Sequence, residues 1–190
     1  MVQVGFTLTV GGYLLGSVLP AVWIVRRKTG KSPWELGDNP GGSGVWRLAG
    51  PIAGVSTILF DIIKGVIPVA LAQKADLQGF WFIAVACSPV IGHNWPVFTG
   101  FKGGRGFACA TGILLFLAWR EMLPAYLVGV LCGLRKRWVP AIGVVGFPLG
   151  LSLMYFRSVP LLTVIASVAV MLLVGVRQIP WFITNVVRRH

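Results

Sequence analysis

The chain has 190 residues, of which 56% are hydrophobic and only 12% are charged, and its mean hydropathy is +0.81. A soluble globular domain carries roughly 25% charged residues, so this composition and its long apolar runs favour a polytopic helical membrane protein. In a soluble protein the formal charge of +12 would suggest nucleic-acid binding. Here the cations cluster at the ends of apolar runs, so we expect membrane lipids as partners and no nucleic acid.

The apolar runs predict about seven transmembrane helices in a single, all-α domain covering residues 1–190. The predicted spans are 4–25, 51–72, 79–93, 106–119, 123–134, 139–156 and 159–176. The fourth and fifth are short for a segment that needs about 20 residues to cross a bilayer. We therefore expect them to be tilted or shortened helices around a polar cavity. Residues 29–50 form a polar loop rich in glycine and proline.

The distribution of lysine and arginine predicts the orientation of these helices. Only Lys74, Arg120 and Arg157 fall on the side assigned to the outside, and Lys64 lies within a span. The cations assigned to the cytoplasm are Arg26, Arg27, Lys28, Lys31, Arg47, Lys102, Arg105, Arg135, Lys136, Arg137, Arg177, Arg188 and Arg189. This asymmetry predicts an N-terminus outside and a C-terminus in the cytoplasm.

The loop after the first span carries the first candidate site. Glycines are frequent between residues 37 and 44 and can form a nest of N–H groups, and Arg47 adds a bidentate anion donor. Asn39, Gly41, Ser43 and Arg47 are therefore candidate phosphate-binding residues. The alternative is a flexible connection between two spans, which glycine, proline, asparagine and aspartate mark in any case.

Two charges inside the second span form the next candidate site. Lys64 follows Asp61 by three positions, so the two side chains are neighbours on one face of a helix. Charge within hydrocarbon is costly, so such pairs usually face a polar interior and serve a function. We predict a catalytic role for Asp61 and a substrate contact for Lys64, the alternative being a structural ion pair that locks helices together.

The segment of residues 91–111 combines histidine, cations and glycines between two apolar runs. Glycine allows backbone N–H groups to approach a ligand closely, and a following helix N-terminus favours an anion. We predict His93 as a catalytic residue. The predicted phosphate contacts are Lys102, Gly103, Gly104, Arg105 and Gly106. The alternatives are an ordinary interfacial histidine and cations that only mark the cytoplasmic side.

Four motifs in order resemble a known family. They read G-Y-L-L-G-S at 12–17, N-P-G followed by Arg47, F-D-I-I-K-G at 60–65, and G-H-N-W-P-V-F-T-G-F-K-G-G-R-G at 92–106. This set is similar to the bacterial acyl-phosphate:glycerol-3-phosphate acyltransferases of the PlsY type. The resemblance implies a seven-helix inner-membrane enzyme, and the charge distribution predicts that its active site faces the cytoplasm. It would transfer an acyl chain from acyl-phosphate to the sn-1 hydroxyl of glycerol 3-phosphate, giving lysophosphatidic acid and phosphate in the first step of phospholipid synthesis.

Two stretches depart from the family pattern. The first loop of the family usually reads G-S-G-N-P-G-A-T-N-x-x-R, whereas this chain has Leu36-Gly37-Asp38 and Ser43-Gly44 at the differing positions. Near the C-terminus the family carries H-x-x-N-I-x-R-L and a later glutamate, whereas residues 177–180 read R-Q-I-P here with no acidic residue after them. A non-catalytic paralogue therefore stays open as an alternative.

The chemistry implied by the resemblance needs no metal or cofactor, because an acyl-phosphate is already activated. Catalysis reduces to holding two phosphates together, aligning the hydroxyl and neutralising the departing phosphate. His93 or Asp61 would orient or deprotonate the hydroxyl, or the leaving phosphate would take its proton. A membrane transporter of a phosphorylated metabolite would use the same cations and is the rival class of protein.

Overall fold

The computed structural model describes residues 1–136 and 141–185, and within these ranges the chain is helical and contains no β-strand. Eight α-helices and one short 3-10 helix, Val97–Thr99, are present there. The α-helices are α1 (Val2–Ser17), α2 (Pro20–Thr29), α3 (Gly42–Ala49), α4 (Pro51–Lys74), α5 (Gly79–Asn94), α6 (Phe107–Lys136), α7 (Ala141–Phe156) and α8 (Leu161–Asn185).

By length and composition, four helical stretches in the described part of the chain could cross a membrane, and two of them, the first and the third, are interrupted by a break or a kink. They are Val2–Thr29, Pro51–Lys74, Phe107–Arg135 and Leu161–Gln178, and the shorter Ile142–Phe156 is also apolar. Large apolar side chains on these helices point outward, since Phe6 is 61% exposed, Ile52 83% and Leu161 73%. Side chains of this kind on the outer surface of a helical protein are expected where it faces lipid.

The first predicted span, 4–25, lies within the apolar helical stretch Val2–Thr29, but it is not one continuous helix, because the chain breaks between α1 and α2. Val18 and Leu19 leave the helical conformation immediately before Pro20, the first residue of α2. Proline disfavours the helical conformation in the residue before it and brings no N–H to the preceding turn. The apolar character continues across the break, so periodicity and composition did not reveal it.

The polar loop predicted at 29–50 contains the additional helix α3. Its buried residues Val45 and Ala49 pack against Ala21 and Val25 of α2 in a small apolar cluster. The spacing of Val45, Leu48 and Ala49 is that of one helix face, whereas the glycines at 41, 42 and 44 argue against a helix. Packing of one apolar face therefore outweighs the low helix propensity of glycine.

The fourth and fifth predicted spans are the two halves of α6. Ala118 has non-helical angles (φ −150°, ψ 57°), which separates the halves. The Tyr126 side chain lies beside Thr111, although a straight helix would place these positions roughly 22 Å apart at 1.5 Å per residue. The chain therefore folds back at Ala118, and Leu114, Met122 and Met154 form an apolar cluster with α7.

The remaining helices differ from the predicted spans mainly in where they begin and end. Helices α4 and α5 match the bounds of the second and third predicted spans to within two residues at each end, and α4 is long and apolar enough to cross a membrane. The seventh, predicted at 159–176, continues to Asn185. Three predictions lie outside the described residues: the start of the sixth span at 139, the cytoplasmic Arg137, and the cytoplasmic pair Arg188 and Arg189.

The main core lies where α4, α5, the first half of α6 and α8 meet. Val69, Val85, Ile113 and Val170 are fully buried there. Helix α1 joins this group by packing closely on α5, because Gly92 of α5 lies directly against the α1 backbone and has no side chain to separate the two. This packing brings the C-terminal end of α5 beside the break after α1.

Candidate active site

Asp61, Lys64 and His93 meet in the interior, on the facing surfaces of α4 and α5. The Asp61 Oδ1 atom lies 2.8 Å from Lys64 Nζ and 3.4 Å from His93 Nδ1. All three side chains are buried, with between 1% and 3% of each exposed. A cation and a carboxylate held this close compensate each other's loss of hydration, which is the condition for burying either.

Lys64 is held by a second contact that its sequence position did not suggest. Its Nζ donates to the carbonyl of Val18 at 2.9 Å. Val18 lies at the break before Pro20, where the carbonyl lacks a helical partner, so the ammonium takes the place of the missing N–H. Lys64 therefore ties α4 to the α1–α2 break and does not line the cavity described below.

The turn after α5 folds back over His93. The Gly104 N–H donates to the carbonyl of His93 at 2.9 Å, and a methyl group at Gly104 would collide with His93 Nε2. Gly106 has φ of 70°, a left-handed conformation that glycine adopts without strain, and it leads into α6. These contacts place the backbone of the turn directly on the imidazole.

A cavity of about 330 Å³ lies on the other side of this turn. The residues around it are Trp34, Asn39, Phe101, Lys102, Gly103, Gly104, Arg105 and Arg177. The structure thus brings together five of the predicted phosphate contacts, namely Asn39 from the first loop and the four residues 102–105. Gly106 is buried beside Asn94, and neither Gly41 nor Ser43 belongs to the lining.

Arg177 is a cavity residue that the sequence analysis missed. Its guanidinium donates to the carbonyl of Asn94 at 2.7 Å and stacks on the ring of Trp95 at 5.2 Å. Asn94 Nδ2 donates in turn to the carbonyl of Leu173, at 3.0 Å, which fixes α8 against the end of α5. A cation at the end of the last span is what membrane topology requires, so its position alone gave no signal of a site.

Arg47 and Asp38 form a two-point ion pair at the edge of the site. Arg47 Nε donates to Asp38 Oδ2 at 2.9 Å and its terminal amine donates to Oδ1 at 2.6 Å. Burial works to raise the pKa of the Asp38 carboxyl, but hydrogen bonds from Arg47 and from the N–H of Asn39 outweigh it and lower the pKa. The pair lies on α3 and the loop before it, where Gly41 precedes the first turn and Ser43 is exposed.

Arg105 connects the ion pair to the cavity. Burial is the largest influence on Arg105 and lowers the pKa of its guanidinium, while the charge of Asp38 raises that pKa and the charge of Arg47 lowers it. Both effects require the three groups to be neighbours. The cationic surface of the cavity therefore continues from Arg177 through Lys102 and Arg105 towards Arg47.

The arrangement is suited to an anionic ligand with several oxygens. Guanidinium groups and glycine backbone approach the same space, and both bind phosphate well. The buried imidazole of His93 lies behind Gly104, oriented by Asp61 at its other nitrogen. Among the described residues, no three His, Cys, Asp or Glu side chains lie close enough together to hold a metal ion.

Comparison with known proteins shows what this chain resembles. A family model described as glycerol-3-phosphate acyltransferase matches residues 6–186. Glycerol-3-phosphate acyltransferases of Salmonella arizonae and Salmonella paratyphi B are each 39% identical over 122 residues, which is 64% of this chain and 57% of theirs. The matched stretch thus spans little more than half the length of these relatives.

Two solved structures share the fold over nearly the whole chain. Both are crystal structures of PlsY, an integral membrane glycerol 3-phosphate acyltransferase, one in a glycerol 3-phosphate form and one in a lysophosphatidic acid form. Their TM-scores are 0.84 and 0.83 at 25% and 26% sequence identity, covering 95% of this chain and 92% of theirs. Because the family model matches far more than half of the sequence, this chain belongs to the glycerol-3-phosphate acyltransferase family.

Proposed function

We propose that this chain is a membrane acyltransferase that moves an acyl chain from acyl-phosphate to the sn-1 hydroxyl of glycerol 3-phosphate. The observation that carries the proposal is the contact between a cationic cavity and a buried imidazole, with only Gly104 between them. The cavity suits the phosphate groups of both substrates, and only the backbone of Gly104 separates it from the His93 imidazole. Family membership supports the same reaction.

The reaction follows from these groups. The sn-1 hydroxyl oxygen bonds to the acyl carbonyl carbon, the bond from that carbon to the phosphate oxygen breaks, and lysophosphatidic acid and inorganic phosphate are the products. Lys102, Arg105 and Arg177 neutralise the charge that grows on the departing phosphate. His93, held by Asp61, supports the Gly104 backbone that lines the cavity from behind, and the hydroxyl proton leaves with the departing phosphate.

The proposal includes a location and an orientation. Residues 1–190 form one domain with about seven spans in a bacterial inner membrane, with the N-terminus outside and the cavity facing the cytoplasm. The acyl chain lies along apolar helix faces open to lipid, so membrane lipids surround the donor. The concentration of cations at one end of the helices supports this orientation.

Labelling tests the orientation directly. The native Cys87, Cys109 and Cys132 are replaced, and a single cysteine is placed at position 43 or 103. We expect a membrane-impermeant thiol reagent to label neither position in sealed right-side-out vesicles, and to label position 43 once the vesicles are opened. Efficient labelling from outside would contradict the orientation.

Turnover tests the reaction. Purified protein is given a long-chain acyl-phosphate and labelled glycerol 3-phosphate, with the acyl-CoA of the same chain length as the control donor. We expect labelled lysophosphatidic acid from the acyl-phosphate and not from acyl-CoA. Binding of glycerol 3-phosphate with no product from either donor would identify the chain as a non-catalytic paralogue and would contradict the proposal.

A further inference from the structure

The Asp38–Arg47 ion pair lies beside the cationic cavity, with most of the arginine side chain in solvent. Arg47 is 59% exposed, and its side chain does not line the cavity, although Asn39 beside Asp38 does. The guanidinium is therefore held next to the cationic cavity but outside it. Both of its contacts with Asp38 are made along one edge, by the Nε and one terminal amine.

Asp38 satisfies that guanidinium in the way that a phosphate would. Two parallel hydrogen bonds from an arginine fork to two oxygens are the geometry that the same fork makes with phosphate. The carboxylate also accepts the N–H of Asn39 at 2.7 Å, so the loop backbone fixes its position. Only 16% of the Asp38 side chain is exposed, whereas the long arginine side chain is mostly in solvent.

We propose that Asp38 competes with the substrate phosphate for Arg47, holding the guanidinium beside the cavity until a bound phosphate displaces the carboxylate. This inference rests on the proposed function, because the phosphate in question is that of glycerol 3-phosphate. A dianionic phosphate surrounded by Lys102, Arg105 and Arg177 attracts the guanidinium more strongly than a single carboxylate does. Asp38 thus lowers the apparent affinity for the phosphate.

The size of the effect follows from the fraction of molecules in which Arg47 is released. If Asp38 holds the guanidinium in about 70–90% of the molecules that have not yet bound phosphate, the apparent affinity for phosphate falls roughly threefold to tenfold. Removing the carboxylate should restore that factor. The gain should depend on Arg47, because the competition is for its guanidinium.

Titration calorimetry on the purified full chain measures this competition, with glycerol 3-phosphate and inorganic phosphate as the probes. We expect Asp38→Asn to lower the Kd for both probes roughly threefold to tenfold, and Asp38→Ala to act in the same direction. In an Arg47→Met background the same Asp38→Asn change should alter the Kd by less than about twofold. Glu35→Gln is the matched control, since Glu35 is an acidic residue of the same loop whose carboxylate is held by Ser32 and lies near Arg26 and Lys31.

Four results would overturn the inference. Weaker binding by Asp38→Asn would mean that Asp38 orients Arg47 towards the phosphate. An equal gain in the Arg47→Met background, or with Glu35→Gln, would mean that any lost negative charge helps. Failure of every variant to bind either probe would contradict both the inference and the proposed function. Turnover separates the two proposals: tighter binding without lysophosphatidic acid contradicts only the reaction, and turnover with an unchanged Kd contradicts only the competition.

Discussion

Two ionic groups built from the same chemistry lie on opposite sides of the turn at residues 102–106. Asp61, Lys64 and His93 are almost completely buried between α4 and α5, and two helices and a backbone carbonyl fix them. Asp38 and Arg47 form a closer two-point contact, yet the arginine is mostly exposed on a short helix. The short distances within an ion pair thus do not show how much the pair stabilises the protein.

The two ionic groups differ in what can replace a charged partner that is lost. When a buried partner is lost, the remaining charge has no water to replace it, so the interior cluster resists change. When an exposed partner is lost, water or another ion replaces it at little cost. The interior cluster is therefore suited to fixing an imidazole, and the outer pair is suited to exchanging partners.

The largest effect should come from breaking the interior cluster. Lys64→Met leaves the Asp61 carboxylate buried without its cation, and we expect a loss of about 3–5 kcal/mol in the free energy of unfolding. Thermal unfolding in detergent micelles measures it. The matched control is Lys28→Met, because Lys28 also donates to a backbone carbonyl, that of Ala49 at 2.8 Å, but is exposed.

A double variant shows whether the interior charges depend on each other. Asp61→Asn combined with Lys64→Met should be more stable than the sum of the two single losses predicts, because neither charge is then left alone. Additive losses would mean that the two groups do not act as a pair, and the contrast between the two ionic groups would fail.

Next in size is the effect of the cavity cations on turnover. Arg105→Ala should lower kcat/KM about tenfold to a hundredfold, corresponding to roughly 1.5–3 kcal/mol for a charge-assisted contact. Arg105→Lys should be milder, since it keeps the charge and loses only the planar fork. Arg27→Ala, an exposed cation at the end of α2, is the control. Wild-type kinetics in both Arg105→Ala and Lys102→Ala would mean that these cations only mark the cytoplasmic side of the membrane and do not contact substrate.

The turn between the two ionic groups should not tolerate a larger side chain at position 104. Gly104→Ala places a methyl group against His93 Nε2, and we expect kcat/KM to fall roughly tenfold, because overpacking of about 1–3 kcal/mol displaces the turn or the ring. Steady-state kinetics on folded protein measures it. Gly11→Ala should be harmless, since no atom lies within 4 Å of a methyl group there. Equal activities of both variants would show that the turn yields freely.

The smallest effect should be that of the outer pair on stability. Asp38→Asn should cost less than about 1 kcal/mol at neutral pH. Burial acts to raise the pKa of Asp38, but the contacts with Arg47 and Asn39 bring it below its ordinary value of 3.8. The pair therefore stabilises the fold at neutral pH, and that contribution is lost as the pH falls through the lowered pKa. The unfolding midpoints of wild type and Asp38→Asn should converge in acid, and a constant difference would contradict this origin.

The sequence predicted the interior cluster better than the outer one, for physical reasons. Asp61 and Lys64 stood out because hydrocarbon penalises charge at any position within a span. The competing role of Asp38 could not be predicted, since it depends on how α3 turns Arg47 towards the loop. Helix α3 itself was obscured by its glycines, and its signal lies in the apolar spacing of Val45, Leu48 and Ala49.

The helix breaks follow the same division. The reversal at Ala118 was predicted to within a few residues, because charged residues interrupt the apolar run at Arg120 and Glu121. The break before Pro20 interrupts no apolar run, and its stabilising contact comes from Lys64, 46 positions away in the chain. Local pattern predicts an element well where its cause is local, and poorly where a distant side chain supplies the missing hydrogen bond.

The contact of Arg177 with the carbonyl of Asn94 has a consequence for the order of biosynthesis. The two residues lie 83 positions apart, and α8 is the last helix of the described chain to be made. A nascent chain ending before α8 would already hold Asp61, Lys64, His93 and the glycine turn, but would lack one wall of the cavity. The cavity thus gains its last wall only when α8 is in place, so we expect a chain that ends before α8 to lack the complete set of cations around the cavity.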